Sequence, residues 1–287
     1  MALRPNPTLR QRRVGTELRR MREQAGLGSS QLARQLGIHA AQVTQMETGK
    51  SGISVERLRT IAATCMCTNQ PLINALAEMT TERGQGWWQD YRGTVSADLL
   101  DLAELEGTAK SLTAYTITFV HGLLQTKAYA GSVFTRAIPP LPRHEFDVRL
   151  DFRMKRQHVV RSGGTPIQAF IHEAALRMQF SGPKILAEQL DELIKLSENP
   201  VVSIRAVPFD VESLPGPSEN FTYASGPVTE LDTLQIDTTH NLLISDSPAQ
   251  LASYREMLAR MASVALSEEE SRDFIRHIKK EIERKHA

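Results

Sequence analysis

The apolar residues between positions 29 and 50 repeat at helical spacing in two short segments. They are Leu32, Ala33, Leu36, Val43 and Met46. Recurrence every three or four residues places such side chains on one face of an amphipathic helix. Gly37 lies between the segments, and glycine accepts the positive φ of a sharp turn at little cost. Gly49 follows the second segment as a helix terminator, so the pattern predicts two helices joined by a tight turn.

Helical patterns also flank this pair, over residues 13–25, 56–63 and 71–79. Together these segments predict an N-terminal all-α domain of five short helices over residues 13–80. Residues 1–12 are interpreted as a basic N-terminal arm, and residues 81–86, a short polar stretch, as a linker. The 287 residues exceed the roughly 150 typical of one domain, so residues 87–287 are assigned to a second domain.

The second domain mixes helical and strand-like patterns. Helices are predicted over 98–115, after Thr126 as an N-cap, and over 143–160, 173–179, 183–196, 249–264 and 268–285. Apolar runs bounded by turn residues predict strands over 167–171, 201–207, 221–224, 231–236 and 242–244. Several of these runs are separated by short turns, which favours antiparallel pairing. The expected fold is α+β, with a small, mainly antiparallel sheet flanked by helices.

Charge divides the chain in the same way. Residues 1–83 carry 12 basic and 6 acidic side chains, whereas the remaining 204 residues carry 22 basic and 27 acidic ones. The net charges are therefore +6 and −5, as expected if only the first part meets DNA phosphates. Seven arginines lie in the first 22 residues: Arg4, Arg10, Arg12, Arg13, Arg19, Arg20 and Arg22. We interpret them as an arm that reaches phosphates or the minor groove; a merely solvated basic tail is the alternative.

The order of five helices, with the second and third forming the turn, resembles the XRE-type regulators, the class of the lambda repressor. The resemblance covers residues 13–79 and implies that the third helix enters the DNA major groove. It implies that bases are read by Ala40, Ala41, Thr44 and Gln45. It also implies an ion pair of Arg22 with Glu47 that turns the guanidinium toward a phosphate. Phosphate contacts are expected from Arg13, Arg22, Ser29, Ser30, Gln42 and Lys50.

Two positions depart from this class. Ser29 stands where a phosphate-binding glutamine is frequent, and His39 stands where serine or threonine usually caps the third helix. Among the base-reading positions, only Gln45 can form a bidentate contact with adenine, while the two alanines can meet thymine methyl groups. DNA shape and dimer spacing are therefore expected to carry much of the specificity. An ordinary pair of packed helices in a bundle is the alternative.

Short motifs of the second domain also follow one another in a recognisable order. They are GWW at 86–88, Tyr91, LE at 105–106, Ala109, Val120, GLLQT at 122–126, YA at 129–130, Arg153, RQ at 156–157, EAAL at 173–176, QL at 189–190, VPF at 207–209 and ALSEEES at 265–271. This series resembles the C-terminal domain, of undefined biochemical role, of WhiJ-like XRE-type regulators from streptomycetes and relatives. His121 stands where that family usually has proline, and His172 where aspartate is common. Both departures are expected to change a pocket or an interface rather than the fold.

The two resemblances imply a transcription regulator that binds double-stranded DNA as a homodimer through its N-terminal domain. The C-terminal domain would dimerise, sense a small-molecule effector, or bind a small protein encoded nearby, as relatives of the resembled family often have such a neighbour. An effector pocket is predicted at Trp87, Trp88, Tyr91, Tyr115, Phe119, His121 and Gln125. The clustered aromatics at 87–91 either line this pocket or a hinge, or they seal the second core. An antitoxin-like adaptor that binds a small partner and only autoregulates its own promoter is the alternative function.

Known catalytic patterns are incomplete in this sequence. His172 and Glu173 begin the zinc-peptidase motif HExxH, but Leu176 occupies the position of the second histidine. The eight histidines are dispersed, and Cys65 and Cys67 are interpreted as small packed residues. We therefore expect no catalysis, no cofactor and no metal. No apolar run reaches the roughly 18 residues of a membrane span, and no secretory signal pattern is present, so a cytoplasmic, nucleoid-associated protein is expected.

Overall fold

A computed structural model describes residues 6–81, 86–214, 219–237 and 242–286 of the chain. These residues form two compact units. The first unit contains the residues up to Arg92 together with residues 96–105 and 227–231, and the second contains residues 93–95, 106–226 and 232 onward. Most of the predicted linker, residues 82–85, and the arm residues 1–5 with Arg4 lie outside the described residues.

The first unit is built on five helices, as the apolar spacing predicts. They are α1 (Leu9–Gln24), α2 (Ser29–Gln35), α3 (Ala40–Glu47), α4 (Val55–Thr64) and α5 (Gln70–Thr81). Their apolar faces meet in one core, in which Leu32, Val43 and Leu58 are almost fully buried. The unit also contains residues 96–105, of which 97–105 belong to helix α6 (Ala97–Thr108), and Leu231, which joins the same core.

Helix α1 begins earlier than the sequence pattern predicts, which corrects the assignment of residues 9–12 to a basic arm. The Thr8 side chain accepts a hydrogen bond from the Gln11 amide at 3.4 Å, and the Gln11 side chain accepts one from the Thr8 amide at 3.1 Å. This reciprocal arrangement is a capping box. It satisfies two amide donors at the helix start, so the helix extends over the arginine-rich segment.

The second unit contains a six-stranded mixed sheet in the order β3-β2-β1-β4-β5-β6. The strands are β1 (Ser111–Thr116), β2 (Ile167–His172), β3 (Val202–Val207), β4 (Phe221–Ser225), β5 (Thr233–Asp237) and β6 (Leu242–Ser245). The β1–β2 and β2–β3 pairs are parallel, and the other three pairs are antiparallel. The predicted α+β class is confirmed. Short turns between strands predict antiparallel pairs, so the two parallel pairs are not expected from the sequence.

Helices connect and flank the strands of this sheet. They are α7 (Lys127–Phe134), α8 (Arg143–Arg156), α9 (His158–Arg161), α10 (Glu173–Arg177), α11 (Pro183–Leu196), α12 (Pro248–Val264) and α13 (Glu268–His286). Thr126 caps α7 as predicted, because its hydroxyl accepts a hydrogen bond from the Tyr129 amide at 3.2 Å. The helix predicted over 143–160 is divided into α8 and α9.

The central strand β1 was not predicted. The sequence pattern favours one helix over 98–115, but α6 ends at Thr108 and β1 begins at Ser111. Leu112, one of the apolar positions of the predicted helix, instead pairs with Ile167 of β2 on one side and with Ala224 of β4 on the other. Pairing on both sides is a long-range effect, and it overrides the local helical spacing.

The two faces of the sheet differ in chemistry, because successive strand residues point to opposite sides. One face presents the aromatic and aliphatic residues Tyr115, Phe170, Phe221, Tyr223, Leu234 and Ile236, which pack against α12 residues such as Leu251 and Met261. The other face carries Thr116, Thr222 and Gln235, all at most 4 % exposed. A buried polar face must be satisfied by hydrogen bonds from neighbouring elements.

Candidate nucleic-acid interface and polar cluster

The turn between α2 and α3 depends on one glycine in the left-handed region. Gly37 has φ +65°, and the next amide, of Ile38, donates to the Ala33 carbonyl oxygen at 3.0 Å. Helices α1 and α3 also approach closely at Gly15, where an added Cβ would lie 2.4 Å from the Glu47 carbonyl oxygen. These contacts place α3 across α1 with its outer side free.

The base-reading positions predicted on α3 differ in their exposure. Ala41 and Thr44 are exposed, whereas Ala40 and Gln45 are half-buried. Ala40 packs against the domain core, and the Thr44 hydroxyl donates to the Ala40 carbonyl oxygen at 3.3 Å. The side chains at positions 41, 44 and 45 are therefore those that the α3 surface can present to a groove.

The predicted phosphate contacts at the two helix starts are polar and accessible. Ser29 is half-buried, and Ser30, Gln42 and Lys50 are exposed. Gln42 has a local role, because its Oε1 accepts a hydrogen bond from the His39 amide at 3.0 Å. His39 itself makes no capping hydrogen bond through its side chain. Gln42 thus serves the start of α3 in place of the serine or threonine cap.

Arg22 and Glu47 form a bidentate ion pair between α1 and the end of α3. Arg22 Nε donates to Glu47 Oε1 at 2.6 Å, and Arg22 Nη2 donates to Glu47 Oε2 at 3.0 Å. Nη1 of the same guanidinium donates to the Leu27 carbonyl oxygen at 2.9 Å. The hydrogen bonds to Glu47, the strongest influence, raise the pKa of Arg22 above its usual value. Arg22 is only 8 % exposed, so its guanidinium serves mainly as a bridge between α1 and α3 within the unit.

Arg13, also predicted to contact phosphate, is buried at 6 % exposure. Its Nη2 donates to the Glu230 carbonyl oxygen at 2.5 Å, and its Nε lies 3.3 Å from Glu17 Oε1. Glu230 belongs to the segment 227–231 of the same unit. Arg13 would have to leave both partners before it could meet a phosphate.

Every arginine of α1 is ion-paired in this way. The pairs are Arg10–Glu104 at 2.9 Å, Arg12–Asp101 at 2.9 Å, Arg13–Glu17, Arg19–Glu23 at 2.7 Å, Arg20–Glu17 at 2.5 Å and Arg22–Glu47. Asp101 also accepts a hydrogen bond from the Leu9 amide at 3.0 Å. Asp98, Asp101, Glu104 and Glu230 belong to this unit although they lie far along the chain, so its formal charge falls from the +6 of residues 1–83 to +2.

Arg34 is a candidate phosphate contact that the sequence argument missed. It is exposed in the last turn of α2, beside Gln31 and Gln35 in a shallow open depression. No carboxylate among the described residues lies within ion-pair distance of Arg34 or Lys50. The signal was available in the sequence, because position 34 is polar on the side of α2 opposite the buried Leu32.

The predicted pocket residues Trp87, Trp88 and Tyr91 lie in the first unit, in a short 3₁₀ helix spanning Trp87–Tyr91. The Trp87 ring meets Trp88 and Tyr91 edge to face, with centroid distances of 6.1 and 5.9 Å. An added Cβ at Gly86 would lie 2.2 Å from the Trp88 ring, so only glycine leaves room there. These aromatics pack within the first unit, which corrects the alternative that they seal the second core.

The other predicted pocket residues, Tyr115, Phe119, His121 and Gln125, lie in the second unit, but they do not all meet in one place. Tyr115 belongs to the apolar face of the sheet, where its ring meets Phe221 at 5.9 Å. Phe119 meets Phe180 at 4.9 Å. His121 Nε2 lies 3.1 Å from the Thr222 hydroxyl, on the opposite face of the sheet from Tyr115, because Thr222 follows Phe221 in the strand. A single pocket containing Tyr115 and His121 is therefore wrong.

The segment 120–126, which contains the GLLQT motif, is held by three buried glutamines. Gln125 Nε2 donates to the Val120 carbonyl oxygen at 2.7 Å, and Gln189 Nε2 donates to the Leu124 carbonyl oxygen at 2.9 Å. Gln157 Nε2 donates to the carbonyl oxygens of Gly122 at 3.0 Å and Gln125 at 2.8 Å. Each glutamine satisfies backbone acceptors that no strand pairs, so the segment keeps one shape around its short 3₁₀ helix at Gly122–Leu124.

Glu106 and Arg156 form a second bidentate pair beside this loop, with side chains only 3 % and 6 % exposed. The Thr165 hydroxyl donates to the Glu106 carbonyl oxygen at 3.1 Å, so the end of α6 is tied to two distant segments. The LE, GLLQT, RQ and QL motifs, scattered along the sequence, thus meet in one polar cluster.

Neither a metal site nor a membrane span emerges from the described residues. No group of three or more His, Cys, Asp or Glu that could hold a metal occurs among them. No helix in the described ranges is long and apolar enough to cross a membrane. Cys65 and Cys67 are free thiols; Cys65 is buried and packs in the first core, and its pKa is raised mainly by that burial.

Comparison with known families assigns both parts of the chain. A helix-turn-helix domain model matches residues 13–76, which cover α2, α3 and the turn between them. The model of a domain of unknown function, DUF5753, matches residues 99–277. No curated protein and no solved structure matches the chain. The chain therefore belongs to the DUF5753 family, with a helix-turn-helix DNA-binding domain preceding the domain of unknown function in the sequence.

Proposed function

We propose that this protein is a sequence-specific transcription regulator that binds double-stranded DNA as a homodimer and reads the major groove with α3. The exposed side of α3 carries the proposal. Ala41 and Thr44 are exposed there and Gln45 is partly so, while Lys50 and Arg34 stand nearby in sequence as exposed cations outside any ion pair within the described ranges. A helix of this kind fits the groove, and the cations provide the phosphate attraction that positions it.

Base recognition by this surface is limited, which supports the dimer. Gln45 is the one base-reading side chain with both a donor and an acceptor in its amide, and it can pair with adenine. A single short helix with one such contact discriminates poorly among sequences. Two copies related by a two-fold axis would read half-sites about 34 Å apart, one helical turn of DNA.

The C-terminal domain is proposed to sense a small molecule rather than to catalyse a reaction. Its polar cluster contains buried glutamines and ion-paired side chains, which hold a fixed shape. A small protein partner remains the competing proposal, and titration of the purified chain with the neighbour-encoded protein separates the two. Heat release at micromolar concentrations would favour that partner.

Selection of bound fragments from genomic DNA of the source organism tests the DNA-binding proposal. The wild type, Gln45→Ala and the control Gln24→Ala are compared at one salt concentration, since DNA affinity depends steeply on salt. Gln24 is exposed at the end of α1 and makes no side-chain hydrogen bond to the described residues. A palindromic site enriched by the wild type and the control, but lost or broadened in Gln45→Ala, is expected. Equal enrichment of the same site by all three proteins would contradict reading through α3.

A further inference from the structure

Donor groups from three elements converge on the polar face of the second unit's sheet. They come from the segment 120–126 that follows β1, from Thr222 of β4, and from Arg153 of α8. Gly122 brings the segment and the helix together, because a Cβ added there would lie 3.7 Å from Arg153 Nε. The hydrogen-bonding capacity of these groups is only partly used within the described residues.

Arg153 has one polar partner, and its Nε–Nη2 edge is unpaired among the described residues. Its Nη1 donates to Gln125 Oε1 at 2.9 Å, and its guanidinium carbon lies 4.2 Å from the centre of the Phe134 ring. Its Nε is buried and has no acceptor among the described residues, and no described carboxylate lies within ion-pair distance. The Nε–Nη2 edge of arginine is one of the two that bind a carboxylate with parallel hydrogen bonds.

Arg156, one turn further along α8, has the carboxylate partner that Arg153 lacks. Its Nε and Nη2 both donate to Glu106, at 2.8 and 2.5 Å. The same edge of Arg153 therefore lacks the carboxylate that its neighbour possesses. Burial, followed by repulsion from Arg156, lowers the pKa of Arg153 to about 9, as expected for a cation without a close counter-charge.

His121 orients a further donor toward this region. The Leu123 amide donates to His121 Nδ1 at 3.3 Å, so Nδ1 carries no proton and Nε2 does. Nε2 lies 3.1 Å from the Thr222 hydroxyl oxygen, which must then accept the hydrogen bond. The Thr222 hydroxyl proton is left to donate elsewhere. On β1, the buried hydroxyl of Thr116 also has no partner among the described residues.

One acidic group limits the charge that such a site would accept. Asp237, at the end of β5, is exposed and accepts a hydrogen bond from Gln235 Nε2 at 2.6 Å. It is close enough to raise the pKa values of Arg153 and Arg156, but it forms an ion pair with neither. A dianion would be repelled by this carboxylate more strongly than a monoanion.

We infer that the unpaired Nε–Nη2 edge of Arg153, with the hydroxyl of Thr222, is a binding site for the carboxylate of a small organic monoanion. The half-buried side chain of Arg153 supplies two N–H donors, and its contacts with Gln125 and Phe134 hold the guanidinium in place. His121 donates to the Thr222 oxygen, which leaves the Thr222 hydroxyl proton for the ligand. The inference names a ligand class for the sensing role proposed above. Binding itself is tested without DNA, so its failure would leave the DNA-binding proposal untouched.

Arginine Nε–H signals in a proton–nitrogen NMR spectrum of the full chain give a direct test. The Arg153 signal is identified by its loss in Arg153→Lys, and sodium acetate is titrated against sodium chloride at constant ionic strength. The Arg153 signal is expected to shift to saturation at millimolar acetate. The signal of Arg143, an exposed arginine on the same helix, is expected to stay in place and is assigned by Arg143→Lys.

Thr222→Val keeps the size of the side chain and removes the hydroxyl, so it tests the site with Arg153 intact; if Arg153→Lys does not fold, the Arg153 signal is assigned from triple-resonance spectra of the wild type. It is expected to weaken acetate binding about 10-fold or more, the effect of one hydrogen bond to a charged group. Absence of a saturable shift, or an equal shift at Arg143, would overturn the inference. Saturation by phosphate at lower concentration than by acetate would overturn the assignment to a monocarboxylate.

Discussion

Glu106 and Arg156, 50 residues apart in the chain, meet in a buried bidentate ion pair at the end of α6. Removing one partner leaves the other charge buried and unpaired, which is far more costly than losing an exposed pair. The pair also adjoins Gln157, which holds the segment 120–126. The integrity of the polar cluster therefore depends on this contact.

Glu106→Gln is expected to destabilise the second unit by about 3 kcal/mol, the usual cost of breaking a buried pair. Hydrogen–deuterium exchange of the β1 and α8 amides measures the loss within that unit. Asp147→Asn is the control, because it breaks the exposed pair with Arg143 on α8. Equal acceleration of exchange in both variants would show that the buried pair has no special role.

Glu47→Gln is expected to lower the stability of the first unit by about 2 kcal/mol and to weaken DNA binding. The variant keeps the size of the side chain but leaves Arg22 without its partner between α1 and α3. Thermal unfolding followed by tryptophan fluorescence reports on this unit, since Trp87 and Trp88 lie in it. Glu78→Gln, which removes an exposed carboxylate of α5 that forms no ion pair within the described ranges, should change both readouts much less. A Glu47→Gln variant as stable as Glu78→Gln would contradict the bridging role.

Asp101→Asn combined with Glu104→Gln is expected to raise affinity for random-sequence duplex DNA. Asp101 and Glu104 hold Arg12 and Arg10, and their neutralisation would release two cations for phosphates. Each additional phosphate contact steepens the dependence of log affinity on log salt by about 0.9. Fluorescence anisotropy over a salt series measures both quantities.

Asp98→Asn is the matched control for this release, because it removes one charge from the exposed start of the same helix. It should raise affinity slightly through net charge alone and leave the salt slope unchanged. If the double variant behaves like this control, the α1 arginines do not compete between carboxylates and phosphates.

Gly15→Ala is expected to destabilise the first unit by about 1–3 kcal/mol, because the new methyl group would overlap the Glu47 carbonyl oxygen. Helices α1 and α3 would have to move apart, which would lower DNA affinity together with the melting temperature. Gly131→Ala in α7 makes the same substitution where the nearest atom is 3.7 Å away. That variant should be neutral or gain up to about 1 kcal/mol from reduced chain entropy. Equal changes in melting temperature relative to the wild type for the two variants would refute the close approach of α1 and α3.

The stability of the second unit is expected to fall as the pH drops below 6.5. Burial, and then the charges of Arg156 and Arg153, lower the pKa of His121 to about 3, against about 6.5 in an unfolded chain. Between these values the unfolded state binds a proton that the folded state does not, so acid favours unfolding. The slope for one proton is at most about 1.4 kcal/mol per pH unit.

His121→Gln should flatten this slope between pH 6.5 and 4, as measured by urea unfolding followed by far-ultraviolet circular dichroism. The charges that act on His121 are those of Arg156 and Arg153 on α8, and these arginines are in turn influenced by Glu106 and Asp237; all four groups remain in the variant. His158→Gln removes an exposed histidine and serves as the control. Identical pH profiles for the two variants would exclude a contribution from buried His121.

Local sequence patterns predicted the features of this protein that depend on neighbouring residues. The spacing of Leu32 and Val43 and the glycine at position 37 predict the helix pair and its turn, because helical periodicity and positive φ are local properties. The cap at Thr126 is predictable for the same reason. The short motifs also predicted the two families, and the family comparison confirms that combination.

Only the tertiary structure decided which distant groups meet. The residues of strand β1 have the spacing of a helix end, but β2 and β4 pair with them on both sides. The sequence around the arginines of α1 predicts a free basic arm, but in the structure Asp101, Glu104 and Glu230 from later parts of the chain contact these arginines. The attraction between opposite charges, and between backbone donors and acceptors, depends on their distance in space. The spacing of residues along the chain does not determine that distance.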